Sequence, residues 1–236
     1  MKNIILTTTL ALLLASCGGG NGNGNGSGGN QANQQTHLDD ALNSLDSPSD
    51  TTVALSEEQK YALAFMWHEE KLAYDIYHEL NKIHPTNQLA NIQNSETTHM
   101  DAVEKLIQNY DINVTNLKDY TINYSQSELE NMPIGEYAVP EVKALYDTLY
   151  AKGKNSQKDA LEVGCMVEVT DINDLNEYIA IAQGKADLVQ TFEFLRAGSY
   201  NHYWAFDKGL QSIGVSEGCC ALGTEWCHPE YPQNAH

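Results

Sequence analysis

The sequence predicts an all-α protein: a bundle of four long helices with one long crossover connection that contains a short extra helix. Three observations lead there. Apolar residues recur at helical spacing in four separate long stretches. The stretches form two pairs, each interrupted by only a few turn-forming residues, as in antiparallel helical hairpins. The pairs are joined by about 45 residues, the length of a crossover rather than of a tight turn. Alternating apolar and polar runs, the signature of half-buried strands, are sparse.

The elements follow in chain order. Residues 1–16 read as a lipoprotein signal peptide, with Lys2 as its basic start and an apolar run from Ile4 to Leu14 that is too short to span a bilayer. Leu14-Ala15-Ser16-Cys17 resembles the bacterial lipobox, which implies that Cys17 is diacylated and becomes the first residue of the mature chain. Ordinary cleavage that leaves Cys17 as a thiol is the other reading. Residues 17–50 read as the lipidated cysteine and a linker, because Gly18 to Gln35 is almost entirely Gly, Asn, Ser and Gln and cannot bury apolar area.

The bundle is expected over 51–213. Ser56 with Gln59 forms a capping box that starts the first helix, whose apolar stripe includes Leu63, Met66, Ala73, Tyr77 and Leu80. Pro85 and Asn87 end it. The second helix runs from about Gln88 to Tyr110, with Leu89, Ile92, Val103, Leu106 and Ile107 inward. Asp111 to Tyr137 reads as irregular, and Pro140 to Lys152 as the short extra helix, stopped by Gly153. Ser156, paired with Asp159, opens the third long helix, which extends to about Ala182. After Gly184 the fourth runs from about Ala186 to Ser212, and residues 214–236 form a cysteine-containing tail. Two hairpins and one crossover match the ferritin-like four-helix topology.

Composition narrows the function. The 236 residues carry 13 Lys and Arg against 32 Asp and Glu, a formal charge of −19, so binding to a phosphate backbone is excluded as a task for the bulk surface and no nucleic-acid partner is expected. A mean hydropathy of −0.43 argues against an integral membrane bundle. Membrane association is expected through the N-terminal lipid alone, which places the protein in the cell envelope, outside the cytoplasm. A homodimer is compatible with the chain, and the protein partner is open.

Charged residues interrupt the apolar stripes: Glu70 on the first helix, Glu96 and His99 on the second, Glu168 on the third and His202 on the fourth. A carboxylate buried on such a stripe is costly unless protonated, paired or bound to a cation. Glu70 lies about 14 residues before the first turn and His99 about 12 after it, while Glu168 lies about 15 before the second turn and His202 about 17 after it. At helical rise these are similar depths. Glu96 and His99, three apart, share a helix face.

The motifs Glu70-Lys71-Leu72-Ala73-Tyr74-Asp75-Ile76-Tyr77, Ser95-Glu96-Thr97-Thr98-His99-Met100, Ala160-Leu161-Glu162-Val163-Gly164, Glu168 with Asp171-Ile172, and Gly198-Ser199-Tyr200-Asn201-His202 with Ala205-Phe206 resemble the ferritin-like family known as domain of unknown function 2202. The resemblance covers about Ser56 to Ile213. The wider superfamily binds two metals with Glu, Glu-x-x-His, Glu and Glu-x-x-His on successive helices. Carried over, this implies Glu70, Glu96, His99, Glu168 and His202 as metal ligands, enough for one octahedral ion or a lopsided pair, with iron or manganese as the expected metal and zinc as an alternative. The fourth helix departs from the pattern, since Ser199 stands where the second bridging carboxylate belongs. Asp171, one turn after Glu168, is a partial replacement. Glu69 and Glu162 point elsewhere on their helices and are expected at the solvated rim. Tyr74, Tyr77, Tyr200 and Tyr203 either supply hydrogen bonds beside the metal or are packing.

Outside the lipobox the chain has Cys165, Cys219, Cys220 and Cys227. In an exported protein these tend to oxidise. Cys165 is expected to be a buried small apolar residue, and the tail to hold a local disulfide that closes on Cys227; chelation of zinc or copper by Cys219, Cys220, Cys227 and His228 is the alternative. The functional expectation is a membrane-tethered metal-binding protein, an oxidase or peroxide-handling enzyme of open substrate. The competing expectation is a non-enzymatic envelope lipoprotein whose acids and imidazoles form a metal-free network. Iron storage is disfavoured because a tethered chain with a long spacer is poorly suited to closing a hollow shell. Neither a nucleophile triad nor a phosphate loop is present.

Overall fold

The computed structural model describes residues 54–115, 117, 120 and 122–235. The signal peptide, Cys17, the linker and residues 51–53 lie outside the described residues. Within them the chain is all-helical, with no strand. The helices are α1 (Glu57–Ile83), α2 (Asn87–Asn109), α3 (Gln126–Glu130), α4 (Pro140–Gly153), α5 (Gln157–Ile181) and α6 (Ala186–Ser212), followed by two 3₁₀ turns at Gly218–Leu222 and Thr224–Trp226.

Local chemistry sets these boundaries. Ser56 Oγ accepts from Gln59 N while the Gln59 side chain accepts from Ser56 N, so two of the backbone donors orphaned at the start of α1 are satisfied reciprocally. Thr86 Oγ1 caps α2 by accepting from Leu89 N, and Ser156 Oγ caps α5 by accepting from Asp159 N. Gly184 adopts a φ of +90° in the turn between α5 and α6, a conformation costly for residues with a Cβ. The short α3, in a stretch expected to be irregular, has a complete Ser125/Glu128 capping box. Its five residues are too few to show a periodic stripe, so only the cap announces it.

Packing pairs α1 with α2 and α5 with α6; the two hairpins meet through α2 against α6 and α1 against α5, and α4 lies over α1 and α5. Trp67, Tyr77, Phe192, Tyr203 and Phe206 are the bulkiest fully buried side chains. Gly164 lets α5 and α6 approach closely, because a Cβ there would stand 2.4 Å from the Phe206 ring. Asp75 of α1 ties down the crossover: its Oδ2 accepts from Gly135 N, Tyr137 OH and Lys71 Nζ, which compensates the burial of an ion pair.

The tail is fastened to α6. Tyr203 OH donates to Trp226 O and accepts from His228 N, Trp204 Nε1 donates to Tyr231 O, and Asn201 pairs through its side chain with the backbone of Ala235. Cys165 departs from its expected role. It is buried, but as half of a disulfide to Cys219 that joins the middle of α5 to the first 3₁₀ turn. Cys220 pairs with Cys227, the local tail closure that was expected. All four cysteines are thereby consumed, which removes the chelating alternative.

Candidate metal centre

The helices bring Glu70, Glu96, His99, Glu168 and His202 to one place inside the protein, with exposures from 1% for His99 to 7% for His202. Two groups of ligand atoms form there, Glu70 with Glu96 and His99, and Glu96 with Glu168 and His202, each with its atoms within 4.8 Å of one another. Glu96 belongs to both. Its Oε2 lies 2.8 Å from His99 Nδ1 and its Oε1 lies 3.0 Å from His202 Nδ1, so one carboxylate spans the two groups. Glu70 Oε2 accepts at 3.2 Å from His99 Nδ1, and Glu168 Oε2 stands 3.5 Å from His202 Nδ1. The imidazole rings lie 5.4 Å apart with a 29° tilt.

A cation tests well against these residues. Glu96 Oε1 and His202 Nδ1 are within reach of each other, yet neither makes a hydrogen bond, and Glu70 Oε1 is also buried without one. Buried polar atoms are normally satisfied, and leaving one unmade costs about 1–3 kcal/mol. Atoms close together but misaligned for hydrogen bonding have the arrangement expected of donors that share a metal. Three carboxylates and two imidazoles form a mainly oxygen donor set suited to iron or manganese.

Charge balance inside the site is tight. Burial opposes ionisation of Glu96, but His202 and His99 outweigh it and hold its carboxyl well below the usual range. Burial likewise opposes protonation of the imidazoles; Glu70 and Glu96 nevertheless raise His99 well above its ordinary value, and Glu96 with Glu168 raise His202 to about 10. Burial lifts Glu70 to about 7 against the pull of His99, and lifts Glu168 against that of His202. Without a cation, protons on imidazoles supply the positive charge these carboxylates require.

A ring of further groups holds the donors. Tyr77 OH donates to Glu168 Oε1, and Ser95 Oγ is 3.0 Å from His202 Nε2, so Nδ1 is left facing the carboxylates. Gly198 makes room for the other imidazole, since a Cβ there would stand 2.4 Å from His99 Nε2. A glycine inside α6, one turn before His202, was visible as a costly choice. Ser95 carried no comparable signal, because its contact crosses from α2 to α6.

The remaining candidates are placed differently. Asp171 stands outside both ligand groups, with its Oδ2 accepting from Ser199 Oγ, so the pair replaces the missing carboxylate with a hydrogen bond. Glu162 is buried at 4% exposure and paired with Lys152 and Lys158, not at a solvated rim; α4 and the start of α5 supply the lysines. Glu69 is also drawn in, its Oε2 buried, and burial together with Asp174 raises its carboxyl well above the usual range. Of the four tyrosines only Tyr77 touches a ligand. Tyr74 stacks on His78, while Tyr200 and Tyr203 pack against Tyr231 of the tail.

Fold and site thus describe an all-helical protein with a buried carboxylate–histidine cluster. Residues 58–223 match the family model "Uncharacterized protein domain (DUF2202)", and the chain belongs to that family. It is 37% identical over 160 residues to "Uncharacterized protein MJ0754" of Methanocaldococcus jannaschii, covering 68% of this chain and 79% of that one. The crystal structure of "hypothetical protein MJ0754 from Methanococcus jannaschii DSM 2661" superposes with a TM-score of 0.60 at 36% identity, over 69% of this chain and 85% of that one. The match runs through Cys219, so the first turn of the tail belongs to the shared module.

Proposed function

We propose that this chain is a ferritin-like metal-binding protein, tethered to a membrane of the cell envelope through lipid on Cys17, that holds a pair of iron or manganese ions and acts as an oxidase or peroxide-handling enzyme. One observation carries this reading: the two carboxylate oxygens of Glu96 each face a different imidazole in a buried site whose polar atoms are only partly satisfied by hydrogen bonds. Glu70 and His99 would hold one ion, Glu168 and His202 the other, and Glu96 would bridge them. A bound redox-active pair would supply electrons to a small oxidant. The protein's part is to hold the donors in place: Tyr77 fixes Glu168, Ser95 fixes the His202 ring, and the surrounding aromatic core restricts water.

Elemental analysis and anaerobic titration of the purified chain with iron(II) test the reading. Two ions per chain are expected, falling to none in Glu96→Ala and to one in Glu70→Ala or Glu168→Ala. A chain that binds no iron or manganese overturns it. That outcome favours the second reading, an envelope lipoprotein whose His99–Glu70 hydrogen bond and neighbouring imidazole–carboxylate contacts form a metal-free network.

A further inference from the structure

The two disulfides differ in exposure and in what they hold. Cys165 and Cys219 have no exposed surface, whereas Cys220 and Cys227 are both half-buried. The inner bridge fixes the first 3₁₀ turn to α5, and Asp207 Oδ1 accepts from Cys219 N to hold the same turn on α6. The outer bridge closes the loop that returns residues 224–235 to α6. None of residues 221–235 is fully buried, so the outer bridge, aromatic contacts and hydrogen bonds keep that segment in place. The family match ends at residue 223, which puts Cys220 inside the shared module and Cys227 outside it.

The segment meets α6 at one turn. Tyr203 bonds to Trp226 and His228, Trp204 to Tyr231, and Asn201 to Ala235. His202, among them in sequence, points inward to Glu96. We infer that Cys220–Cys227 is a thiol-exchange site for a dithiol reductant, such as a protein with a Cys-x-x-Cys motif, and that its opening frees residues 224–235 from the turn carrying His202. A thiolate of the reductant attacks Cys227 Sγ, the sulfur on the segment without a buried residue. A mixed disulfide forms, the Cys220–Cys227 bond breaks, and its electron pair leaves on Cys220 Sγ. The reductant's second thiol then displaces Cys227 and closes its own disulfide, so two electrons and two protons pass from the dithiol to the two cysteines. The inner bridge offers a thiolate no surface to reach. Opening the outer loop also returns less entropy to the unfolded chain than opening the inner one, so the bundle stays folded. The consequence for His202 as a ligand rests on the metal-binding reading; the exchange site does not.

Reduced thioredoxin, as the protein dithiol, tests the exchange on the folded full chain, with alkylation and mass spectrometry to locate the thiols. Cys220 and Cys227 are expected to be labelled about tenfold faster than Cys165 and Cys219. No labelling before global unfolding, or labelling of all four together, overturns the exchange site. Hydrogen exchange on the reduced chain should show about tenfold loss of protection at the amides of His228 and Ala235, while that of Cys219 is unchanged. Cys220→Ser with Cys227→Ser should reproduce this pattern without reductant; tail amides that stay protected in the reduced chain and in the variant overturn the release. Titration with iron(II) should give about tenfold weaker binding to the reduced chain than to the oxidised one. Equal affinity with a released tail overturns the link to His202 and leaves the exchange site standing. A chain that binds no iron in either state overturns the metal reading, and the labelling result decides the exchange site by itself.

Discussion

Two positions show how one side chain can decide the behaviour of the site or of the fold. On propensity alone Gly198→Ala should stabilise α6 by about 1 kcal/mol. The position of His99 Nε2 reverses the expectation, because the added methyl group needs space the imidazole occupies. The variant should bind iron(II) about 10–100-fold more weakly by titration, in the range for disturbed support of a ligand. Unchanged affinity would show that the ring does not need this space to hold a metal. His68 is a different case, in contact with Val114 O of the crossover. Burial lowers it to about 4 from 6.5, the hydrogen bond and Lys71 being smaller influences, so the folded protein keeps the ring neutral where the unfolded chain would protonate it. Its contribution is complete above pH 6.5 and is lost as pH falls toward 4, about 3 kcal/mol in all. Unfolding free energies measured across that window should show a steeper loss than in His68→Gln; parallel curves would rule the effect out.

At the scale of elements, the tail is a structural part of the bundle. The Cys165–Cys219 bridge closes 54 residues and Cys220–Cys227 closes 7, so chain entropy assigns them about 4 and about 2 kcal/mol respectively. Denaturant unfolding of the paired alanine variants should show the larger loss for Cys165→Ala with Cys219→Ala; the reverse order would mean that native contacts, not loop closure, dominate. The helix limits were legible because caps and breakers are local. Ser56, Ser156, Pro85 and Gly184 all act within a few residues of the ends they mark. What α5 touches was less legible. Cys165 lies on an apolar stretch that reads the same whether its sulfur meets a methyl group or Cys219, 54 residues away.

For the whole molecule, the proposed metal site would couple binding to folding, because a cation held by α1, α2, α5 and α6 would join both hairpins. At a free metal concentration one hundred times the dissociation constant the stabilisation is about 2.7 kcal/mol. In a domain of this size that corresponds to about 5–10 °C in melting temperature. Chelation of the iron-loaded chain should lower its thermal transition by that amount, and Glu96→Ala should not respond to the chelator. A transition indifferent to chelation in the unmodified chain would show that the cluster contributes to folding without a cation.

The sequence by itself determined where the long helices lie, that they come in two hairpins, and that Glu70, Glu96, His99, Glu168 and His202 share a depth, because periodicity, capping and rise per residue are properties of short stretches. Tertiary structure alone decided that Glu96 faces both imidazoles, that Asp171 is held by Ser199, that Glu162 is enclosed by lysines, and that Cys165 is bonded to the tail. Depth along a helix follows from counting residues. Which atoms meet depends on how far each helix is rotated about its axis, and that rotation is set only when the side chains of different helices pack against one another.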